Sequence, residues 1–270
     1  IKIFDTTVGY ANLFDFGLLK ALQREIPLVS HDDDERNFNS IINISFTYSL
    51  LSSVFAIIII LSLYIFGYYL FIDFNTTIIV LLISTILSQR IMIFLGKTIT
   101  GDGQFQLNSK VNIVLGFIRP LVLIILVNYF EIIGLIICNT ICDIIYIYVI
   151  TMYAKIEPRF ELNWAKAKKL IKTGISLFTI GISNKILWTY EILLLPLYIS
   201  LESTGIYGYA ISAIILIRRV PNSINNYIFR NLALSLKKEK SIDQNKIKKY
   251  NIMVQFLYVL FYGNGYLFYF

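Results

Sequence analysis

Long apolar segments separated by short polar ones dominate the chain. A membrane-spanning helix needs about 20 mainly apolar residues, and the pattern predicts about eight such helices. They cover about Thr7–Pro27, Ile41–Phe74, Thr77–Thr100, Val111–Phe130, Glu131–Tyr153, Leu170–Ser200, Thr204–Leu234 and Asn251 to the last residue. Some segments are longer than the hydrocarbon core requires, so these helices must tilt or extend into water. We therefore expect an all-α, polytopic membrane helix bundle.

The polar connections alternate in charge. One set is short and contains no Lys or Arg, as in "IDFNTT", "NYFE" and "SLESTG". The other set is basic, as in "KKEKSIDQNKIKKY". Basic loops of membrane proteins stay in the cytoplasm, and all basic loops fall on one side when eight helices are counted. This agreement supports the predicted spans.

The longest basic connection, "AKIEPRFELNWAKAKKLIK", indicates a division of the chain. Its apolar residues alternate with lysines, which favours a short amphipathic helix on the inner membrane surface. We predict an N-terminal bundle over residues 1–155, a cytoplasmic basic linker over 156–169 and a C-terminal bundle over 170–270. Paired bundles are typical of transporters. The sequence starts and ends within apolar segments, so we expect both bundles to be incomplete.

Composition excludes several classes of protein. Hydrophobic residues make up 57% of the chain and charged residues only 15%, against about 25% in soluble domains. The net charge of +7 comes from basic residues at helix ends and inside apolar segments, so we predict no nucleic-acid binding. One histidine and two cysteines, Cys138 and Cys142 in one apolar stretch, provide no metal site. We predict no cofactor and no catalytic residues.

Several basic residues lie near the middle of predicted helices. An unpaired charge at the bilayer centre costs about 2.5–3.5 kcal/mol by insertion scales, so these side chains must face protein or a water-filled cavity. The proposed cationic cavity, which would hold an anionic group, contains Arg90, Arg119, Lys185, Arg218 and Arg219. The alternative is that each basic residue pairs with a buried acid and locks the bundle.

Three acids and two prolines accompany these basic residues. Asp15, Asp143 and Glu191 lie in apolar segments, where they would balance the basic charges or couple transport to an ion. Pro120 follows Arg119 and Pro221 follows Arg218–Val220. Proline kinks a helix, and freed carbonyls are tolerated where they line a cavity. We predict hinges at both prolines, with a simple packing kink as the alternative.

Three segments resemble bacterial polysaccharide flippases of the O-antigen type. These segments are "ANLFDFGLLKALQREIP", "LIKTGISLFTIGISN" and "ILLLPLYISLESTGIYGYAISAI". Matching positions are Asp15, Gly17, Ala21, Arg24, Glu25, Gly205, Tyr207 and Ala210. Those flippases belong to the multidrug, oligosaccharidyl-lipid and polysaccharide exporter superfamily.

The resemblance implies helices two to nine of a transporter with about twelve to fourteen, built as two bundles around a cationic cavity. It implies a polyprenyl-pyrophosphate-linked glycan as substrate, moved from the cytoplasmic to the periplasmic leaflet of the bacterial inner membrane. Arginine holds phosphate well through its forked donors. Expected partners are membrane lipids and other membrane proteins of polysaccharide assembly.

Two other functions remain open at this stage. A polysaccharide polymerase or acyltransferase in the membrane would need polar catalytic residues in a large periplasmic loop, and the predicted periplasmic loops are only a few residues long. A multidrug exporter of the same superfamily would need acids for cationic substrates, whereas basic residues dominate here. No phosphate-binding "GxxxxGK[ST]" loop occurs, so we expect an ion gradient or the membrane potential to supply the energy.

Overall fold

The computed structural model describes residues 2–29, 35–65, 76–200 and 203–212, apart from some side chains within the helices. These residues form helices and short connections, and no strand occurs among them. The chain divides into two units, Ile1–Leu197 and Tyr198–Phe270, which are described separately. In the second unit, residues 203–212 are helical, and Thr204 Oγ1 donates to the Ser200 carbonyl oxygen at 3.0 Å.

The described residues of the first unit form six α-helices. They are α1 (Lys2–Ala11), α2 (Leu18–Glu25), α3 (Glu35–Ile65), α4 (Thr76–Asp102), α5 (Phe105–Ala154) and α6 (Trp164–Tyr198). Four helical segments are long and apolar enough to cross a membrane: Arg36–Ser62, Thr76–Asp102, Phe105–Glu131 and Ile133–Ala154. The predicted all-α membrane fold is therefore confirmed. The predicted division into two bundles joined by a linker at 156–169 stays a prediction.

The first predicted span is not one helix. Helix α1 ends at Ala11, a 3-10 helix follows over Asn12–Asp15, and α2 starts at Leu18. The prediction of an uninterrupted helix over Thr7–Pro27 is wrong, because hydropathy does not reveal a local change of backbone conformation. This interruption is called the helix break below.

Helix α5 is a hairpin of two arms that reverses at Glu131. Glu131 has φ 50° and ψ −125°, which is not helical. Contacts join the two arms on either side of this residue: Tyr146 donates to Asn108 Oδ1 at 2.9 Å, and Cys138 Sγ lies 3.5 Å from the Arg119 carbonyl oxygen. The turn falls where the sequence predicted one span to end and the next to begin.

Helix α4 lies against most of the first unit. It packs on α2, α3 and α5, and its buried side chains include Ile86, Phe94 and Ile99. Side-chain packing and interhelical hydrogen bonds hold helices together in a bilayer, where lipid tails remove the hydrophobic driving force. Helix α4 is therefore the scaffold on which the charged residues are arranged.

The end of the bundle with the basic connections, called the basic end, is the end predicted to be cytoplasmic. A cavity of about 440 Å³ there has walls from the start of α3, the end of α4, the end of α5 and the segment after it. Its charged residues are Asp102, Lys155, Glu157 and Arg159. Two acids and two bases balance each other, so this cavity does not favour an anion.

The connection between α5 and α6 runs along α3. Asn43 Oδ1 accepts a hydrogen bond from the Arg159 backbone N–H at 2.8 Å, and Thr47 Oγ1 accepts one from the Glu161 N–H at 2.9 Å. Ser40 Oγ donates to Glu161 Oε1 at 2.6 Å. Side chains of α3 thus supply partners that an irregular segment cannot find within itself.

The lysine-rich residues after Asn163 form the first turns of α6, so the prediction of a separate surface helix is wrong. Ala167 and Leu170 are buried with Ala21 of α2 and Ile44 of α3. The small side chains allow close packing of these helices. Burial of one face keeps these turns on the bundle.

Candidate functional site at the helix break

The helix break is built by three consecutive residues. Phe16 and Gly17 are left-handed, with φ of 48° and 80°, and glycine adopts this conformation without a steric penalty. The Asp15 carboxylate accepts hydrogen bonds from the backbone N–H groups of Gly17 at 3.2 Å and Leu19 at 3.4 Å. Aspartate here satisfies N–H groups at the start of α2 that have no partner within the helix. One helix therefore stops and another starts inside an apolar segment.

Arg90 of α4 holds the helix break in place. Its side chain is fully buried, at 0% exposure. The guanidinium donates to Ser53 Oγ at 2.9 Å, to the Ala11 carbonyl oxygen at 3.1 Å and to the Asn12 carbonyl oxygen at 3.2 Å. Its Nη1 atom lies 3.8 Å from the Asp15 carboxylate. The planar fork of donors suits several acceptors at once, so Arg90 joins α3 and α4 to the end of α1.

A pocket of about 170 Å³ lies beside the helix break. Its charged lining consists of Lys20, Lys97 and Asp15, and we call it the basic pocket. Lys97 Nζ donates to Gln23 Oε1 at 2.8 Å. The remaining lining residues are Asn12, Leu13, Gly17, Leu19, Ile93, Phe178 and Ile182. Because Asp15 also faces Arg90, positive charge exceeds negative charge around this pocket.

Helix α6 forms one wall of the basic pocket through Phe178 and Ile182. It approaches the helix break so closely that a Cβ atom on Gly17 or Gly174 would overlap the backbone of the other. The rings of Phe16 and Phe178 lie 5.8 Å apart between centroids. Glycines at crossing points let membrane helices come into backbone contact. Movement of α6 would therefore change the shape of the basic pocket directly.

A second group of polar residues lies between α4 and the hairpin of α5. Arg119 Nη2 is 3.8 Å from Asp143 Oδ1, and Ser88 Oγ donates to Asp143 Oδ2 at 3.5 Å. The hydroxyl oxygens of Thr85 and Thr140 are 3.0 Å apart on the same side of α4. The Asp143 side chain is buried, whereas the Arg119 side chain is 48% exposed. The hydrogen bonds of Ser88 and Thr85 join α4 to the second arm of α5, and the ion pair joins the two arms of α5 to each other.

The structure brings some predicted site residues together and separates others. Arg90 contacts Asp15, and Arg119 contacts Asp143. The two arginines contact different helices: the partners of Arg90 are on α3 and around the helix break, and that of Arg119 is in the second arm of α5. These contacts are the ion pairs that the alternative reading expected. A substrate-binding role for either arginine stays a prediction.

The other predicted site residues are less completely described. Pro120 lies in the first arm of α5 and is exposed. Lys185 and Glu191 are on α6, and their side chains lie outside the described residues. Arg218, Arg219 and Pro221 lie outside the described residues altogether. The predicted hinges, and the predicted joining of basic residues from both bundles in one cavity, therefore stay predictions.

Sequence reasoning missed Lys20, Lys97 and Gln23 as members of the site. Lys20 and Lys97 lie towards the cytoplasmic ends of their predicted spans, away from the mid-depth charges on which the predicted cavity rests. One pattern would have indicated the site: Arg90 and Lys97 are seven residues apart and so lie on one face of α4. Asp15 and Gly17 are a second sign, because aspartate commonly accepts hydrogen bonds from N–H groups at the start of a helix and glycine readily adopts a left-handed conformation.

Comparison with known proteins gives one match. The family model described as "Polysaccharide biosynthesis protein" matches residues 10–260. No curated protein and no solved structure matches the chain. The match covers the helix break, both ion pairs and the basic pocket, and it connects this membrane protein to polysaccharide assembly.

Proposed function

We propose, since the chain belongs to the polysaccharide biosynthesis protein family, that it moves a lipid-linked oligosaccharide across the bacterial inner membrane. The lipid carrier would be polyprenyl pyrophosphate, and the direction would be from the cytoplasmic to the periplasmic leaflet. Transport would proceed by alternating access and serve the assembly of a surface polysaccharide of the O-antigen type. The family match and the membrane-spanning helices support a role of this general kind.

The observation that carries the proposal is the basic pocket. Lys20 and Lys97 bring two ammonium groups to it, and the Asp15 carboxylate already has Arg90 as a neighbour. A pyrophosphate group is multiply charged and accepts several hydrogen bonds, and lysine binds phosphate as a point charge. Charge-assisted hydrogen bonds to phosphate oxygens would hold the head of the lipid-linked glycan at this position.

Contact between α6 and the helix break supports the proposed movement. The wall formed by Phe178 and Ile182 belongs to a helix that touches the helix break through Gly174 and Gly17. Broken helices at binding sites are common in transporters, where one part of the protein rocks against another. We propose that displacement of α6 opens and closes the basic pocket.

The buried ion pairs would balance charge during this movement. Arg90 with Asp15 and Arg119 with Asp143 each combine opposite charges across two segments. We propose that these acids, like the predicted Glu191, serve charge balance or ion coupling. Lys185, Arg218 and Arg219 remain proposed ligands of the pyrophosphate or of anionic sugars from the C-terminal part of the chain, and Pro120 and Pro221 remain proposed hinges.

We favour transport over catalysis, with an ion gradient or the membrane potential as the source of energy. A membrane-embedded polymerase or acyltransferase remains the alternative among enzymes, and a multidrug exporter remains the alternative among transporters. An excess of basic groups at the basic pocket favours an anionic substrate, whereas many drugs are cations.

The test compares variants in cells that lack the gene. Lys20→Gln combined with Lys97→Gln should lower export of the lipid-linked glycan about tenfold or more, because each charge-assisted hydrogen bond contributes about 1.5–3 kcal/mol. Complete glycan units should then accumulate on the inner leaflet. Lys110→Gln is the matched control, because Lys110 is an exposed lysine at the start of α5. Membrane levels of all variants are measured in parallel.

Two outcomes would contradict the proposal. Normal export by the double lysine variant would remove the basic pocket from the transport path. Normal export of units that then remain unpolymerised in cells without the protein would favour the polymerase reading. Export by Lys20→Arg combined with Lys97→Arg, where the double Gln variant fails, would support the requirement for positive charge.

A further inference from the structure

The first three turns of α6 have two different faces. Ala167 and Leu170 are buried against α2 and α3, and Gly174 contacts the helix break one turn further on. On the opposite face, Lys168, Lys169 and Lys172 are exposed. The connection before α6 is held to α3 by hydrogen bonds, so the helix cannot rotate to hide its lysines.

Exposed apolar side chains lie next to these lysines. Phe160, Leu162 and Trp164 are 77%, 76% and 65% exposed. Trp164 continues the line of Lys168 and Lys172 at intervals of four residues, so the three side chains form one stripe along the helix. Tryptophan concentrates at the membrane–water interface, where its ring contacts both lipid and headgroups. The stripe therefore combines a residue suited to the interface with residues suited to negative headgroups.

We propose that Lys168, Lys169 and Lys172 bind the headgroups of anionic phospholipids in the leaflet at the basic end. Charge complementarity identifies anionic phospholipid as the ligand, because the surface of the cytoplasmic leaflet is negatively charged and these three ammonium groups are exposed. Their position fits, because α6 begins beside the end of α5, a helix long and apolar enough to cross the membrane. The neighbouring apolar side chains would enter the region between headgroups and acyl chains.

This contact is distinct from the transport of a lipid-linked glycan. It concerns bulk phospholipid on the outside of the first unit, whereas the basic pocket lies between α2, α4 and α6. Binding would fix the start of α6 relative to the membrane surface. Phe178 and Ile182, later in the same helix, form a wall of the basic pocket. Lipid binding at the start of α6 would therefore restrain the helix that shapes this pocket.

The test uses Trp164 as a reporter of nearby lipid. The chain contains two tryptophans, Trp164 and Trp188, so Trp188→Phe leaves one. The protein is placed in nanodiscs of phosphatidylcholine with increasing phosphatidylglycerol, with bromine atoms on the acyl chains of one lipid or the other. Bromine quenches fluorescence on contact. We expect brominated phosphatidylglycerol to quench Trp164 at a much lower mole fraction than brominated phosphatidylcholine does.

Removing the three charges should abolish this preference. Each basic residue near an anionic surface contributes about 1 kcal/mol, so Lys168→Gln, Lys169→Gln and Lys172→Gln together should weaken the apparent affinity for phosphatidylglycerol about 100-fold. The matched control removes three exposed positive charges from separate elements, through Arg36→Gln, Lys110→Gln and Lys155→Gln, and should keep the preference. Raising the salt concentration should reduce the preference of the unaltered protein.

Three results would overturn the proposal. Equal quenching by both lipids would mean that the face touches the bilayer without choosing headgroups. Absence of quenching by either lipid would mean that protein covers the face. An unchanged preference in the triple lysine variant would place the anionic-lipid contact elsewhere. All three readouts are independent of glycan export, so failure here leaves the proposed function to be judged by its own test.

Discussion

Arg90→Met tests whether one buried arginine holds the helix break. The substitution keeps an unbranched side chain on α4 and removes the guanidinium. Three hydrogen bonds disappear, to Ser53 Oγ and to the carbonyl oxygens of Ala11 and Asn12. The Asp15 carboxylate also loses the positive charge at 3.8 Å. The helix break would keep the backbone hydrogen bonds to Asp15 and the hydrogen bond that Asn12 Nδ2 donates to Gln89 Oε1.

The size of the effect follows from these contacts. Side-chain hydrogen bonds in membrane proteins contribute about 0.6 kcal/mol on average and up to about 1.7 kcal/mol. Three of them give about 2–5 kcal/mol. Loss of one partner from a buried ion pair costs about 3–5 kcal/mol, because the remaining charge is left unpaired. Both figures describe the loss of the same guanidinium and overlap, so they are not added, and we expect Arg90→Met to lower the free energy of unfolding by about 3–5 kcal/mol.

Arg119→Met is the matched control, because it removes the same group from another membrane helix. The Arg119 side chain is 48% exposed and its ion pair with Asp143 spans 3.8 Å. The Asp143 carboxylate keeps its hydrogen bond from Ser88 when Arg119 is removed, so we expect Arg119→Met to cost less than Arg90→Met, which removes three hydrogen bonds as well as an ion pair. Unfolding is followed by circular dichroism as SDS is added to detergent micelles. Equal losses of stability for the two variants would refute the claim that Arg90 holds the helix break.

A double variant separates the ion pair from the hydrogen bonds. Asp15→Asn removes the charge and keeps one of the two acceptor oxygens. The N–H groups of Gly17 and Leu19 bond to Oδ1 and Oδ2 respectively, so one of these two hydrogen bonds is lost. Arg90→Met combined with Asp15→Asn should therefore lose less stability than the two single variants added together, with a coupling of about 0.5–3 kcal/mol. Additive losses would show that the charges of Arg90 and Asp15 do not interact measurably.

Two further substitutions test the packing of the first unit. Gly174→Ala should lower stability by about 1–3 kcal/mol, because its methyl group would overlap the backbone of Gly17, whereas Gly116→Ala, with open space around it, should be neutral or slightly stabilising in SDS unfolding. Asn43→Ala should speed hydrogen exchange of the Arg159 backbone N–H about fivefold, since a hydrogen bond contributes about 1 kcal/mol. An unchanged exchange rate would mean that Asn43 does not hold the connection to α3.

Sequence patterns predicted the long helices and their turns because the bilayer restricts the choices. Backbone groups in lipid must be satisfied within the segment, so an apolar run of sufficient length becomes a helix. The turn at Glu131 followed from the short connection "NYFE", which contains no Lys or Arg, and from the apolar residues on both sides. Here composition alone constrains the fold, and the prediction did not require knowledge of any contact.

The helix break was not predictable in the same way. Segment Thr7–Pro27 remains apolar enough for one helix, and hydropathy averages over the two left-handed residues, Phe16 and Gly17. What makes the break stable is partly distant in sequence, because Arg90 reaches the Ala11 and Asn12 carbonyl oxygens from α4. A sequence pattern shows that an arginine lies at a certain depth in the membrane. It does not show which carbonyl oxygens accept hydrogen bonds from that arginine.

The connection between α5 and α6 shows a similar limit. Its basic composition predicted a linker, and composition correctly placed it between two helices. Its attachment to α3 depends on Asn43 and Thr47, which are polar residues within a predicted apolar span. Within a helix such residues often bond to the preceding turn, as Thr47 also does with the Asn43 carbonyl oxygen. Their second role, to accept hydrogen bonds from the connection between α5 and α6, depends on the three-dimensional structure and has no sequence pattern of its own.

The different uses of arginine and lysine in this chain have a physical reason. Arg90 has five donors in a rigid plane, and such a group satisfies several fixed acceptors at once. It therefore suits a place where the structure must not change, and its acceptors belong to the helix break itself. A lysine ammonium is a compact charge on a flexible stem and exchanges partners more easily. Lys20 and Lys97 at the basic pocket are thus better placed than Arg90 to release a phosphate group, and the proposed transport requires that the bound group be released.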